Sequence, residues 1–256
     1  MPRAKSAPPL PDSTQNATLE AVREQARTCR RCGLWKCGTQ TVFGDGSEHP
    51  RFMLVGEQPG DVEDKEGAPF VGPAGRLLRD ALREAGIDES EVYLTNAVKH
   101  FKWRRQGKRR IHERPNREEI LACRAWLDQE IALLKPRTIV ALGATAAGVI
   151  IGPAARVMRD RAKPFPSPLA SLVTLTVHPS SILRAPDSVA RAEARRQLVD
   201  DLRAIAALAE RRDRPRVAGL SARDIDDLRK LVTEPQPTFT LTAPRPRRGG
   251  GRGTSS

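Results

Sequence analysis

The chain has 256 residues, of which 44 are Lys or Arg and 31 are Asp or Glu, for a formal charge of +13. That length supports one domain with a substantial core, and the charge points to an anionic partner, of which nucleic acid is the commonest. No apolar run reaches membrane-spanning length and Met1 to Asn16 lacks the apolar core of a signal peptide, so a soluble, cytoplasmic protein is expected, with monomer as the default.

Residues 1–16 read as a flexible Pro/Ser-rich segment, 17–210 as the folded domain, and 211–256 as a basic tail with a short helix-like piece from Ser221 to Leu231. A helix is predicted over Thr18 to Arg27, followed by Cys29 and Cys32 in a C-x-x-C, then Cys37; Cys123 stands far downstream. In an intracellular chain these thiols suggest metal or redox chemistry rather than structural disulfides. The motif alone leaves a zinc half-site, a redox dithiol and chance open.

Phe52–Val55 is an apolar strand run ending in Gly56-Glu57-Gln58-Pro59-Gly60. A long loop with Pro69-Phe70-Val71-Gly72-Pro73 leads to a helix over Ala74 to Ala85 that Gly86 stops. Val92–Thr95 is a second strand, leading into Asn96. Asn116 with Glu119 forms a capping box, and Ile120, Cys123, Leu127, Ile131 and Leu134 recur at helical spacing behind it. Thr138–Leu142 is a third strand, followed by Gly143 and an Ala-rich helix. Leu172–Val177 is a fourth, ending at His178-Pro179-Ser180-Ser181, and a closing helix runs from Ser188 to Leu208. Strand–helix alternation of this kind predicts an α/β domain with a mainly parallel sheet.

Between the second strand and the capping box lies a basic loop, residues 96–117, with nine Lys or Arg against Glu113 alone. A charge run is most often a solvated face, but a basic loop on a scaffold also suits a polyanion grip. In a parallel sheet the carboxyl ends of the strands form the ligand crevice. Glu57, Gln58, Asn96 and His178 all fall at such ends. Plainer readings exist: Asn96 suits a turn, Phe70 ordinary core packing, His178 a backbone cap, and His112 a phosphate contact or a solvent-facing histidine.

The motifs GEQPGDVED (56–64), PFVGPAG (69–75), TNAVKHF (95–101), KRRIH (108–112) and HPSSILR (178–184), together with the C-x-x-C, resemble the uracil-DNA glycosylase superfamily. More narrowly they resemble its UdgX branch, related to the iron–sulfur family 4 enzymes, over a span from Cys29 to Glu210. Family 4 enzymes typically carry Ala where Gln58 stands and lack the KRRIH insertion. The resemblance implies a three-layer α/β/α sandwich around a four-stranded parallel sheet. It also implies a [4Fe–4S] cluster held by Cys29, Cys32, Cys123 and His100, the imidazole replacing a thiolate. Cys37 lies outside the family pattern and is taken as a bystander; the alternatives are that Cys37 is the fourth ligand or that His100 only contacts phosphate.

The implied reaction is excision of uracil from DNA, expected to be single-stranded, with the base turned out of the stack into a pocket. Asn96 would pair with uracil O4 and N3–H, in a pocket shared with Gly56 and Gln58, and cytosine would reverse both demands. Phe70 would stack on the base, and His178 would stabilise negative charge developing at O2. Lys108, Arg109, Arg110, Ser180, Ser181 and Arg184 would hold phosphates. Glu57 would stabilise the sugar cation or take a proton, and Gln58 would orient a water or a neighbouring group. In UdgX-like proteins the histidine of KRRIH, here His112, links the protein to the abasic sugar, making a single-turnover enzyme. The alternatives are a multiple-turnover family 4-like glycosylase and a non-catalytic Fe–S DNA-binding protein.

Overall fold

The structure is a computed structural model that describes residues 18–213. The Pro/Ser-rich start, the Ser221–Leu231 piece and the basic tail lie outside the described residues. Helix α1 (Leu19–Arg27) opens the chain, with the Thr18 hydroxyl accepting from Ala21 N as its cap. Strand β1 (Asp45–Gly46) and strand β2 (Phe52–Gly56) precede a short helix α2 (Asp61–Glu66) and the amphipathic α3 (Pro73–Glu84). Gly86 follows α3 in the left-handed conformation at φ 78°, and its glycine meets the stop predicted there. Next come β3 (Val92–Asn96), β4 (Trp103–Gln106), β5 (Arg109–His112) and α4 (Arg117–Leu134). The predicted capping box forms: Asn116 Oδ1 accepts from Glu119 N at 2.8 Å, and Glu119 accepts from Asn116 N at 2.7 Å. The described residues end with β6 (Thr138–Leu142), α5 (Gly143–Ile150), α6 (Val157–Asp160), β7 (Leu172–Thr176), α7 (Pro179–Leu183) and α8 (Ser188–Asp213).

The main sheet has five strands in the order β1-β3-β2-β6-β7, one more than expected. The four predicted strands are parallel, and the fifth, β1, is a two-residue antiparallel edge on β3. Two residues of Asp-Gly carry no hydrophobic pattern, which is why the sequence gives no sign of them. Each inner strand is buried along its length, as expected where helices cover both faces. Alternate residues sort to two cores. Phe52, Leu54, Val140 and Leu172 meet α3, α7 and α8, whereas Met53, Val55, Ile139 and Val173 meet α4 and α5. A third cluster joins α1 to α4 through Val22, Ala26, Cys29, Cys123 and Trp126. Helix α8 runs past the predicted Leu208 to Asp213, whose carboxylate holds Arg51 at 2.9 Å and Arg137 at 3.2 Å where β2 and β6 begin.

The middle of the basic run, residues 103–112, is a hairpin and not a loop. Strands β4 and β5 pair antiparallel, Trp103 opposite His112 and Gln106 opposite Arg109, around the two-residue turn Gly107-Lys108. Gly107 sits at φ 59°, as a tight hairpin of this length requires at its first turn position. Its strands lack the apolar alternation that marks a hairpin, so composition hides the turn.

Candidate active site

The chain crosses from β3 over β2 to reach β6, so the switch in strand order falls between β2 and β6. Open sheets bind ligands at the carboxyl ends beside such a switch, and there a cleft of about 860 Å³ opens. Glu57, Gln58, Phe70, Asn96, His112, Thr145, Met158, His178, Ser180, Ser181 and Arg184 contribute to its walls. The four predicted strand-end residues therefore share one cavity, and His112 joins them from the hairpin.

Asn96 ends β3 and is 3% exposed. Its amide oxygen lies against Gly56, where any Cβ would overlap both that oxygen and the Phe70 ring. Gly56 thus has a steric reason to be glycine: it lets an amide and an aromatic ring stand together at the pocket floor. Phe70 is buried in the core as the plainer reading held, yet it also faces the cleft. Its backbone lies at φ 56°, a left-handed conformation that costs of order 1–3 kcal/mol for a non-glycine residue. The N-terminal turn of α3 presses on it, since a side chain at Gly75 would collide with the Phe70 carbonyl. The Phe70 and His178 rings lie 6.0 Å apart at 29°.

His178 does cap the backbone, as its plainer reading held, and the cap fixes its chemistry. Nδ1 accepts from Ser180 N at 3.1 Å and lies 2.8 Å from Ser180 Oγ. The nitrogen that accepts is unprotonated, so the proton of the neutral ring resides on Nε2. Burial, then Arg184 and His112, hold the imidazole pKa down to about 4. At neutral pH the ring is an uncharged N–H donor.

Glu57 is held by two residues that sequence reasoning missed. The Thr145 hydroxyl donates to Glu57 Oε2 and accepts from Arg114 Nε at 3.0 Å; Arg114 Nε itself lies 3.6 Å from the same carboxylate oxygen. The other oxygen, Oε1, is 3.4 Å from His112 Nε2. Thr145 lies in the first turn of α5 in an Ala-rich run, and no motif marks it.

The Gln58 amide is engaged within the protein. Its amide Nε2 donates to Lys102 O at 3.2 Å and Glu113 O at 2.9 Å, and its Oε1 accepts from Lys102 N at 3.1 Å. Lys102 and Glu113 are the two feet of the β4–β5 hairpin, already joined by Glu113 N to Lys102 O at 2.9 Å. One buried amide therefore anchors the element that carries His112. Arg110 is an anchor too: its guanidinium pairs with Asp61 and with Asp64 (2.6 Å) and lies over the Phe101 and Trp103 rings. Of the three hairpin cations expected to hold phosphate, Lys108 and Arg109 are exposed, whereas Arg110 faces inward. His112 is half exposed.

The expected metal ligands gather between α1, α4 and the end of β3. Cys29 and Cys123 are buried, Cys32 partly so, and Cys37 is exposed. Burial, then the neighbouring Cys29, raises the Cys32 pKa, and burial pushes the Cys123 thiol up to about 12, with Cys29 and Cys32 close enough to add to it. Two N–H groups point at the sulfurs: Trp126 Nε1 at 3.2 Å from Cys29 Sγ, and Lys99 N at 3.2 Å from Cys123 Sγ. His100 is buried, and its Nε2 lies 3.0 Å from Thr41 Oγ1. That hydroxyl gives its proton to Ala26 O at 2.8 Å, so it accepts from His100 Nε2–H. Nδ1 is left with a bare lone pair, buried and without a partner. His100 directly follows Lys99, whose N–H meets Cys123 Sγ, and an orphaned imidazole nitrogen on that segment together with two thiols that receive N–H donors fits an Fe–S centre, whose sulfurs take such bonds. Among the described residues no group of three or more His, Cys, Asp or Glu converges as one bound ion would require. A multi-iron cluster needs a wider embrace than a single ion.

Comparison with known proteins agrees with the geometry. The family model described as the Uracil DNA glycosylase superfamily matches residues 43–203. The chain is 38% identical to the "Type-4 uracil-DNA glycosylase" of Pyrobaculum aerophilum over 175 residues, 66% of this chain and 86% of that protein. It is 37% identical to the protein of the same name from Thermotoga maritima over 190 residues, 74% and 93% of the two chains. Another of that name, from Sulfurisphaera tokodaii, is 39% identical over 127 residues, 49% of this chain and 54% of the other.

Proposed function

The chain belongs to the uracil DNA glycosylase superfamily, and from that membership we propose that it excises uracil from DNA. The observation that carries the proposal is the convergence of Asn96, Phe70, His178 and Glu57 on one cleft at the strand ends. A uracil turned out of the stack would lie against Phe70, with the Asn96 amide accepting N3–H and donating to O4. The C1′–N1 bond breaks with its electron pair passing to the base. His178 Nε2–H donates to O2 as that charge develops, and a neutral donor does so without protonating the base. Glu57 stabilises the oxocarbenium sugar that remains. In the reading that the comparisons favour, water attacks C1′, gives its proton to Glu57 or solvent, and the enzyme turns over.

One observation supports a second reading. His112 lines the same cleft, 3.4 Å from Glu57. Its imidazole could capture C1′ in place of water, passing its proton to Glu57 and leaving a stable N–C bond to the abasic sugar. Cys29, Cys32, Cys123 and His100 would hold a [4Fe–4S] cluster that joins α1, α4 and the end of β3, a structural task. The DNA strand would cross the cleft between the exposed hairpin cations and Ser180, Ser181 and Arg184. One experiment separates the readings: uracil-containing oligonucleotides are incubated with the protein and run on a denaturing gel. Free abasic DNA in molar excess over enzyme means turnover. A heat-stable retarded band that His112→Ala abolishes means capture by His112. Absence of both products refutes excision.

A further inference from the structure

Behind the uracil pocket lies a charged pair with no access to solvent. Lys99 and Glu130 are both 0% exposed, and Lys99 Nζ lies 2.5 Å from Glu130 Oε2. Glu130 is held from three further sides, by Gly44 N, Tyr93 Oη and Thr95 Oγ1, each at 3.0 Å from Oε1. Lys99 Nζ has two more contacts, both on the strand end that carries the candidate base reader: Thr95 Oγ1 at 2.6 Å and Asn96 O at 2.9 Å. Its backbone N–H meets Cys123 Sγ, and its carbonyl accepts from Val42 N at 2.7 Å.

Stability is a poor reason for such a pair. Replacing a buried ion pair by uncharged groups of similar volume is often neutral or stabilising, because both ions had to be stripped of water. What the pair supplies is direction. A glycosylase that distinguishes uracil from cytosine by one amide needs that amide held at a fixed angle, since small errors of position erode rate steeply. Asn96 closes a strand, and beyond it the sheet no longer constrains the chain. Lys99, three residues later, turns back and clamps the Asn96 carbonyl, with Glu130 on α4 as the fixed post.

We propose that Lys99 and Glu130 are a positioning pair that sets the Asn96 amide for uracil, tying it to helix α4 and, through the Lys99 N–H, to the sulfur of Cys123. This rests on Asn96 as the uracil-reading group.

The test is the double variant Lys99→Met with Glu130→Gln. The glutamine amide oxygen can still accept from Gly44 N and Tyr93 Oη, and the methionine side chain fills the volume that the lysine stem leaves. The lost contacts are therefore those to Asn96 O and Thr95 Oγ1. The expected result is a thermal midpoint close to wild type, a roughly 100-fold fall in kcat, and weakened inhibition by free uracil. Affinity for a strand with a tetrahydrofuran abasic site should be unchanged. Tyr93→Phe, which removes a Glu130 contact but no contact of Lys99 or of Asn96, should leave uracil inhibition alone. Thr95→Val loosens the same clamp more gently, and its effect should be smaller but of the same kind if the double variant does not fold. The Asn96 side-chain NH2 pair in a 15N correlation spectrum, assigned by its loss in Asn96→Asp, should broaden or split in either clamp variant. That readout judges the pair even if the wild type excises no uracil, an outcome that counts against the proposed function instead. Wild-type uracil inhibition and an unchanged Asn96 signal in a folded clamp variant would overturn the proposal, as would equal losses in Tyr93→Phe.

Discussion

Gln58→Ala removes three hydrogen bonds at once, together with the buried side-chain volume that carries them. Lys102 O, Lys102 N and Glu113 O lose their side-chain partner at the base of the β4–β5 hairpin. At about 1 kcal/mol net for each bond, the loss is roughly 2–4 kcal/mol. An isolated two-stranded hairpin is marginally stable, so the loss should appear as local opening rather than global unfolding. A local cost near 2.8 kcal/mol is about 100-fold in the opening equilibrium. Hydrogen exchange followed by mass spectrometry should therefore show peptides over 100–114 exchanging about 100-fold faster in the variant, while peptides from β2, β3 and β6 keep their protection. Whatever His112 does, capture or phosphate contact, should weaken with the hairpin, whereas excision itself should fall less. Unchanged exchange in 100–114 alongside a large loss of excision would refute the reasoning and return Gln58 to the role of orienting water.

Thr145→Val deletes the hydroxyl that holds Glu57 and keeps the volume; kcat is expected to fall about 10-fold or more with KM for DNA little changed, read by steady-state release of uracil. His178, folded at about 4 and unfolded near 6.5, binds a proton more readily when unfolded. Its contribution is thus complete above pH 6.5 and is lost as pH falls toward 4. Denaturant titrations from about pH 7 to about 4.5 should show a decline of about 1–3 kcal/mol that His178→Asn flattens. His100→Ala removes the orphaned Nδ1, and protein purified without oxygen should lose visible absorbance from thiolate-to-iron charge transfer, whereas Cys37→Ser should keep it.

Much of this was legible in the sequence, for identifiable reasons. The four parallel strands are largely apolar runs, buried on both faces, and three of them lead into polar residues, Glu57 and Gln58, Asn96 and His178, that the fold carries to a single edge. The Asn116 capping box and Gly86 stop are local chemistry, readable without tertiary context. What escaped was long-range partnership. Arg110 reads like its neighbours Lys108 and Arg109 until Asp61 and Asp64, far earlier in the chain, are seen to face it. Gln58 looks like a polar group waiting for substrate until the hairpin feet close on it. Thr145 sits unmarked among alanines. Lys99 reads as one more cation in a basic run, and only the fold shows it sealed from water.

The hairpin has a consequence for how such a protein could arise. Its feet, Lys102 and Glu113, are already hydrogen-bonded to each other, and neither of its strands joins the main sheet. Residues 103–112 could be removed and the cut ends rejoined with little disturbance to β3 or α4. A lineage could therefore gain or lose this segment in one genetic event, needing afterwards only a glutamine at its base and two aspartates on α2 to steady it. With the segment would come or go a histidine at the mouth of the cleft, so the outcome of the reaction could change while the framework that reads the base stayed as it was.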